Sequence, residues 1–225
     1  MTASATKSRA AIGLFGGTFD PVHYGHLRAA LEARETLGLD DFRLLPAGTP
    51  ALRTFTGASA PHRLAMLQLA VEAYPGFSVD DREIRRPGKS YMVDTLREIR
   101  RESGDKPLIL VIGQDAANDL DQWFEWRTLF SLAHLAIMRR PESRIGWKGE
   151  LRKIIERRLT GEVGQLHECP AGRVLPLAVT QLAISATGIR KQFSAGRSPR
   201  FLLPDPVIEY IRKNALYFAA QAPKG

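Results

Sequence analysis

Only one cysteine, Cys169, occurs in the 225 residues, so no intramolecular disulfide can form. That scarcity suits a reducing compartment, and a cytoplasmic location is expected. No Cys/His cluster has zinc spacing. No apolar run approaches the roughly 20 residues that a helix needs to cross a bilayer, so no membrane partner is expected. The opening M-T-A-S-A-T-K-S-R is small, polar and basic and lacks the apolar core of a secretory signal. Residues 1–9 are therefore expected to be a flexible tail, and A-A-Q-A-P-K-G at 219–225 likewise. Three chemical signatures are missing too. There is no lysine-bearing G-x-x-x-x-G-K-[ST] loop, no G-x-G-x-x-G dinucleotide fingerprint and no G-x-S-x-G nucleophile. These absences argue against a P-loop ATPase, a dinucleotide-binding oxidoreductase and a serine hydrolase.

What the chain does have is positive charge, 32 Lys and Arg against 24 Asp and Glu, for a net +8. Such a balance favours an anionic partner. The basic pairs Arg85-Arg86, Arg100-Arg101, Arg139-Arg140 and Arg157-Arg158 are scattered and have no aromatic interleaving. They describe a solvated basic surface rather than a nucleic-acid groove, and no nucleic-acid partner is expected.

Strand-like and helix-like segments alternate along 10–218, with no internal repeat and no dividing linker. Strands are expected at Ala10–Phe15, Phe42–Leu45, Phe77–Ile84, Pro107–Ile112, Leu135–Met138 and Val174–Val179. Helices are expected at Gly25–Leu37, Pro61–Tyr74, from a Ser90 cap through Ile99, at Trp147–Leu159, from Ser185, and at Asp205–Leu216. The run P-L-I-L-V-I at 107–112 is apolar throughout, as in a parallel strand covered on both faces. The fold class is therefore α/β: a Rossmann-like, open, mostly parallel sheet with helices on both faces. One nucleotide-handling domain at 10–218 would include a small C-terminal helical part. Ligands of such sheets lie beyond the C-terminal strand ends. The long segment Pro46–Pro61, rich in Gly, Pro, Thr and Ser, is expected to be a loop, either closing over substrate or merely superficial.

Chemistry concentrates at the first strand end, where Gly16 and Gly17 precede T-F-D-P-V-H-Y-G-H-L at 18–27. Glycines admit a phosphate, Thr18 offers a hydroxyl, and the amides of Thr18 and Phe19 can donate. His23 and His26 face one side of an opening helix, where the dipole attracts anions. No nucleophile stands beside them, which leaves in-line displacement at phosphorus, catalysed by positioning and charge stabilisation. A lone histidine here would be read as a polar cap; the pair is read as a phosphate site. A second such site is expected at Ser185, a natural N-cap whose helix would leave the amides of Ala186, Thr187 and Gly188 free, with Arg190 in reach of a β- or γ-phosphate oxygen.

G-G-T-F-D-P-V-H-Y-G-H-L closely resembles the signature of the H-x-G-H nucleotidyltransferase superfamily, and its longer form resembles bacterial nicotinate-nucleotide adenylyltransferases. The resemblance runs from Ile12 to Tyr217. It takes in H-R-L-A-M-L at 62–67, S-Y-M-V-D-T-L at 90–96, I-G-Q-D at 112–115, W-F-E-W at 123–126, R-R-P at 139–141, I-S-A-T-G-I-R at 184–190 and P-x-x-V-x-x-Y-I at 204–211. It implies that ATP and nicotinate mononucleotide combine to give deamido-NAD and pyrophosphate, a step of NAD biosynthesis. His23, His26 and Arg190 would be catalytic. ATP would also meet Gly16, Gly17, Thr18, Phe19, Gly113, Asp115, Ser185 and Thr187, with Asp115 accepting ribose hydroxyls unless it caps the next helix. The mononucleotide would meet Arg53, Tyr91, Met92, Val93, Trp123 and Phe124. Trp123 would stack on the pyridine ring, and Trp126 would fill the core. Mg²⁺ would be held mainly by ATP phosphates and water, so no metal residue is expected.

The chain departs from the family pattern at Met92, where a Thr is usual, at Ala186, where a second Ser is usual, and at Leu52, where a His is usual. Met92 leaves recognition of the nicotinate carboxylate to the amides of Val93 and Phe124. The alternatives are another H-x-G-H transferase, acting on nicotinamide mononucleotide, phosphopantetheine or glycerol phosphate, or a non-catalytic nucleotide- or RNA-binding module. The Tyr91 and Trp123 segments argue against the former. The oligomeric state is left open.

Overall fold

The structure is a computed structural model that describes residues 11–51, 57–139, 145–180 and 182–218. The tails expected at 1–9 and 219–225 lie outside them, as does Arg53. In chain order the elements are β1 (Ile12–Gly17), α1 (Tyr24–Leu37), β2 (Asp41–Pro46), β3 (Thr49–Pro50), α2 (Ala60–Val71), β4 (Phe77–Val79), α3 (Arg82–Arg85), β5 (Lys89–Ser90), α4 (Met92–Ser103) and β6 (Leu108–Gly113). There follow α5 (Gln114–Asn118), a 3-10 turn at Leu120–Gln122, α6 (Trp126–Leu132), β7 (His134–Arg139), α7 (Gly149–Glu156), α8 (Gln165–Glu168), β8 (Val174–Ala178), α9 (Ala186–Ser194) and α10 (Asp205–Lys213).

Six strands form one sheet in the order β4-β2-β1-β6-β7-β8. The pairings of β1 with β6, β6 with β7 and β7 with β8 are parallel. Strand order reverses between β1 and β6, the point at which open α/β sheets offer their strand-end loops to ligands. The reason for parallel pairing is legible in β6, whose Leu108, Ile109, Leu110 and Val111 are all buried. With both faces apolar, such a strand is stable only between layers. Helix α1 stops where Gly38 takes φ +63, a backbone region that L side chains rarely adopt.

The chain packs as two compact units. Among the described residues, one comprises 11–15, 33–43 and 91–179, the other 16–32, 44–90 and 180–218. In the first, His134 is fully buried. Its Nδ1 accepts from the Arg173 amide at 3.0 Å, so Nε2 carries the proton and donates to the Cys169 carbonyl at 2.8 Å. Burial lowers its pKa, which keeps the ring neutral. Arg100 donates to the carbonyls of Gly104, Lys106, Leu132 and Pro170, so one member of a basic pair serves as an internal clamp.

Several local expectations are corrected. Ser90 does not cap α4; its Oγ accepts from the Gly48 amide at 2.9 Å, and the N-cap position falls to Tyr91. The Pro46–Pro61 segment is not wholly irregular, because Thr49–Pro50 forms a short parallel ladder with Lys89–Ser90. Phe77–Ile84 is extended only to Val79. There the Asp80 carboxylate accepts from both the amide and the guanidinium of Arg82 and turns the chain into α3. Trp147 precedes α7 and is buried, and Leu151 and Ile155 give that helix a core-facing side.

Candidate active site

The second unit holds the first strand-end loop. Gly17 closes β1, and its carbonyl accepts the Ala47 amide at 2.9 Å. A Cβ on Gly17 would come within 2.9 Å of the Phe19 ring, so this glycine first serves to admit a buried phenyl group. Phe19 itself has φ +50. Its ring meets His26 edge-on at 5.1 Å, and His26 stacks on His23 at 3.7 Å with 28° between the planes. Gly25 lies so close that a Cβ there would stand 2.9 Å from His23 Nδ1. The His23 carbonyl accepts the amides of His26 and Leu27, which starts the 14-residue helix α1. Both imidazoles thus occupy the positive end of a helix dipole.

His23 is only 5% exposed, and burial pushes its pKa down to about 4. It is neutral at pH 7, which is what stacking on a second imidazole requires, since two adjacent imidazolium ions repel. Its Nδ1 is buried and has no hydrogen-bond partner among the described residues. An anion bound beside the ring would raise its pKa and strengthen it as a donor.

Asp20 holds this loop to its neighbours. Its side chain is 4% exposed and collects donors at both oxygens. Oδ1 accepts from the Ala58 amide at 3.0 Å and the Tyr217 hydroxyl at 2.7 Å. Oδ2 accepts from the Gly57 amide at 2.6 Å and lies 3.7 Å from Arg190 Nη1. Arg190 Nη1 donates to the Asp20 backbone carbonyl at 2.7 Å, and Nη2 to Thr187 Oγ1 at 3.3 Å. Ser185 caps α9 as expected, but its Oγ takes the Gly188 amide at 3.1 Å. Of the three amides expected to be free, Gly188 is therefore already committed to the cap.

Arg63 completes the scaffold. It is 1% exposed and donates to the carbonyls of Thr18 and Gly48, both at 2.8 Å. Burial lowers its pKa and the charge of Asp20 opposes that shift. Neither Asp20 nor Arg63 was singled out from the sequence. The signal for Arg63 was present: on α2 it shares a stripe with buried Met66, Leu67 and Ala70, an arginine where the helical period calls for an apolar residue. Asp20 gave no such signal, because its donors come from positions far along the chain.

The first unit holds the residues expected at 91–93, 113–115 and 123–124. Tyr91 and Phe124 pack ring against ring at 4.8 Å, and Phe124 remains 52% exposed. Glu125 takes φ +48 and pairs with Arg97, which also meets Asp94. Trp123 is half-buried, and Trp126 fills the core as expected. The Val93 side chain is buried, so it can offer a ligand only its amide, in the first turn of α4, which no side chain caps. Gly113 is the N-cap of α5, which has no side-chain cap bond. Exposed Asp115 is therefore not a capping residue. The structure thus joins His23, His26 and Phe19 directly, and Arg190 and Thr187 to them through Asp20. It brings Tyr91 to Phe124 independently.

The cytidylyltransferase-like family matches residues 14–192, from the middle of β1 to just beyond Arg190. Among curated relatives, the probable nicotinate-nucleotide adenylyltransferase of Methylococcus capsulatus is 49% identical over 92% of this chain and 99% of its own. That of Marinobacter nauticus is 46% identical over 92% and 96%. The chain belongs to the cytidylyltransferase-like family, with the nicotinate-nucleotide adenylyltransferases. Solved structures share the fold at low identity. Plasmodium falciparum nicotinic acid mononucleotide adenylyltransferase complexed with NaAD superposes with a TM-score of 0.69 at 16% identity, over 92% of this chain and 97% of that one. A putative nicotinate-nucleotide adenylyltransferase from Vibrio parahaemolyticus gives 0.62 at 14%, over 93% and 96%. In this member, the stretch that matches the family takes in both the paired histidines and the capped helix that carries Arg190.

Proposed function

We propose that this chain transfers the adenylyl group of ATP to nicotinate mononucleotide, giving deamido-NAD and pyrophosphate. The observation that carries the proposal is the stacked His23–His26 pair at the start of α1, tied through Asp20 to Arg190. The mononucleotide phosphate oxygen attacks the α-phosphorus of ATP. The bond from that phosphorus to the β-bridging oxygen breaks, and pyrophosphate leaves with the electron pair. His26 and neutral His23 donate to the phosphates as charge moves onto the leaving group, and Arg190 with the α9 amides of Ala186 and Thr187 holds the β- and γ-phosphates. No covalent enzyme intermediate is needed.

Thr18, Gly16 and Gly17 line the phosphate approach, and Gly113 and Asp115 serve the ribose. Tyr91, Trp123 and Phe124 take the pyridine ring, and the amides of Val93 and Phe124 take its carboxylate. Arg53 takes the mononucleotide phosphate. Mg²⁺ bound with ATP would be held mainly by its phosphates and water and would offset their negative charge. The donor set fits that role: imidazoles, a guanidinium and amides recognise anions, and the one buried carboxylate of the loop, Asp20, is committed to protein donors. Among the described residues no three His, Cys, Asp or Glu side chains group as a metal site.

Met92 favours a second reading, in which nicotinamide mononucleotide is accepted as well, because its thioether offers no donor to a carboxylate. A comparison of kcat/KM for the two mononucleotides decides. We expect at least tenfold preference for the acid; equal values would move the assignment to a dual-substrate transferase.

A further inference from the structure

The Asp20 carboxylate is a buried anion beside the arginine that the proposed reaction needs for phosphate. Left short of donors, such a carboxylate would draw in the nearest mobile cation. Arg190 Nη1 stands 3.7 Å from Oδ2. It does not complete the approach. Instead it sits 2.7 Å from the backbone carbonyl of the same residue, because the carboxylate is already supplied by the amides of Gly57 and Ala58 and by the hydroxyl of Tyr217.

We propose that Tyr217 is a positioning residue: its hydroxyl satisfies Asp20 and so keeps the Arg190 guanidinium available to substrate phosphate. This rests on the assignment of Arg190 made above. Tyr217 contacts the same apparatus with its ring. A Cβ on Gly57 would meet Arg190 Cδ at 2.8 Å and the Tyr217 ring at 2.9 Å, so the glycine is held between them. The ring also lies 6.2 Å from Phe193, one turn along α9 from Arg190. Burial and the Asp20 carboxylate raise the phenol pKa, so the hydroxyl is a donor throughout the working pH range. Tyr217 has φ +66, uncommon for a residue with a side chain, and these contacts hold it there.

The test is a double-mutant cycle on the full chain with Tyr217→Phe and Arg190→Ala, read by kcat for pyrophosphate release and by the ATP dissociation constant from calorimetry. Tyr217→Phe keeps the ring and removes one hydroxyl. Alone it is expected to lower kcat about tenfold and to weaken ATP binding, with the mononucleotide KM within about twofold of the parent. On the Arg190→Ala background it is expected to change neither quantity. A folded Tyr217→Phe protein with parental kcat and ATP affinity overturns the proposal, as does an equal loss on both backgrounds. If that variant does not fold, Tyr217→Leu, which likewise removes the hydroxyl and keeps an apolar side chain, replaces it in the cycle with the same two outcomes. Should the parent bind ATP but release no pyrophosphate with nicotinate mononucleotide, the proposed reaction fails, and the calorimetric cycle still decides the role of Tyr217.

Discussion

The residues around His23 and those around Phe124 are built in opposite ways. His23, Asp20 and Arg63 are nearly inaccessible, and Asp20 and Arg63 are bonded to backbone from distant parts of their unit. Phe124 is half in solvent, and its ring packs on that of Tyr91. The contrast follows from the work proposed for each. Stabilising charge as it shifts onto phosphate oxygens depends on donors already in place, because reorganising dipoles at the moment of reaction forfeits the benefit. Taking up a flat ring depends on an open apolar surface that a ligand can cover.

The sharpest way to break this comparison is His26→Ala. If the buried cluster acts on the transition state, kcat falls roughly 10²-fold or more while the fold persists. Near-parental kcat in a folded variant would remove the histidine from the mechanism. A smaller effect concerns pH. The folded-state pKa of His23, about 4, lies below the ordinary value of 6.5, so the unfolded chain takes up the proton first. Its contribution to stability is complete well above pH 6.5 and declines as pH falls toward 4, by roughly 1–2 kcal/mol between pH 6.5 and 5. Urea denaturation at the two pH values, compared with His23→Gln, should show that much less pH dependence in the variant; identical slopes would contradict a buried neutral ring. The smallest effect is expected in the open region. Trp123→Ala should raise the mononucleotide KM about tenfold at saturating ATP and spare kcat, as loss of ground-state binding does. A fall in kcat at constant KM would erase the distinction between the two regions.

Much of this was legible in the chain itself. The apolar run at 107–112 declares a doubly covered strand, and G-G-T-F-D-P-x-H-x-G-H places paired imidazoles at a strand-to-helix turn. Both are local patterns, set by period and by residue type within a few positions. Ser90 shows where locality misleads. Its type and place suit a helix cap, but the Gly48 amide, far away in sequence, claimed its oxygen. At Gly17 residue type alone shows nothing of a further constraint, that the missing side chain accommodates a phenyl ring of its own loop.

The sequence alone determined the α/β alternation, the family and the pairing of two histidines at the first strand-to-helix turn, because these depend on patterns that neighbours along the chain enforce. Only the tertiary structure decided that His23 is neutral, that Gly188 is spent on its own cap, and that Asp20 gathers Gly57, Ala58, Arg190 and Tyr217. Burial and the allotment of hydrogen bonds are properties of which distant groups meet in space. No spacing rule records them.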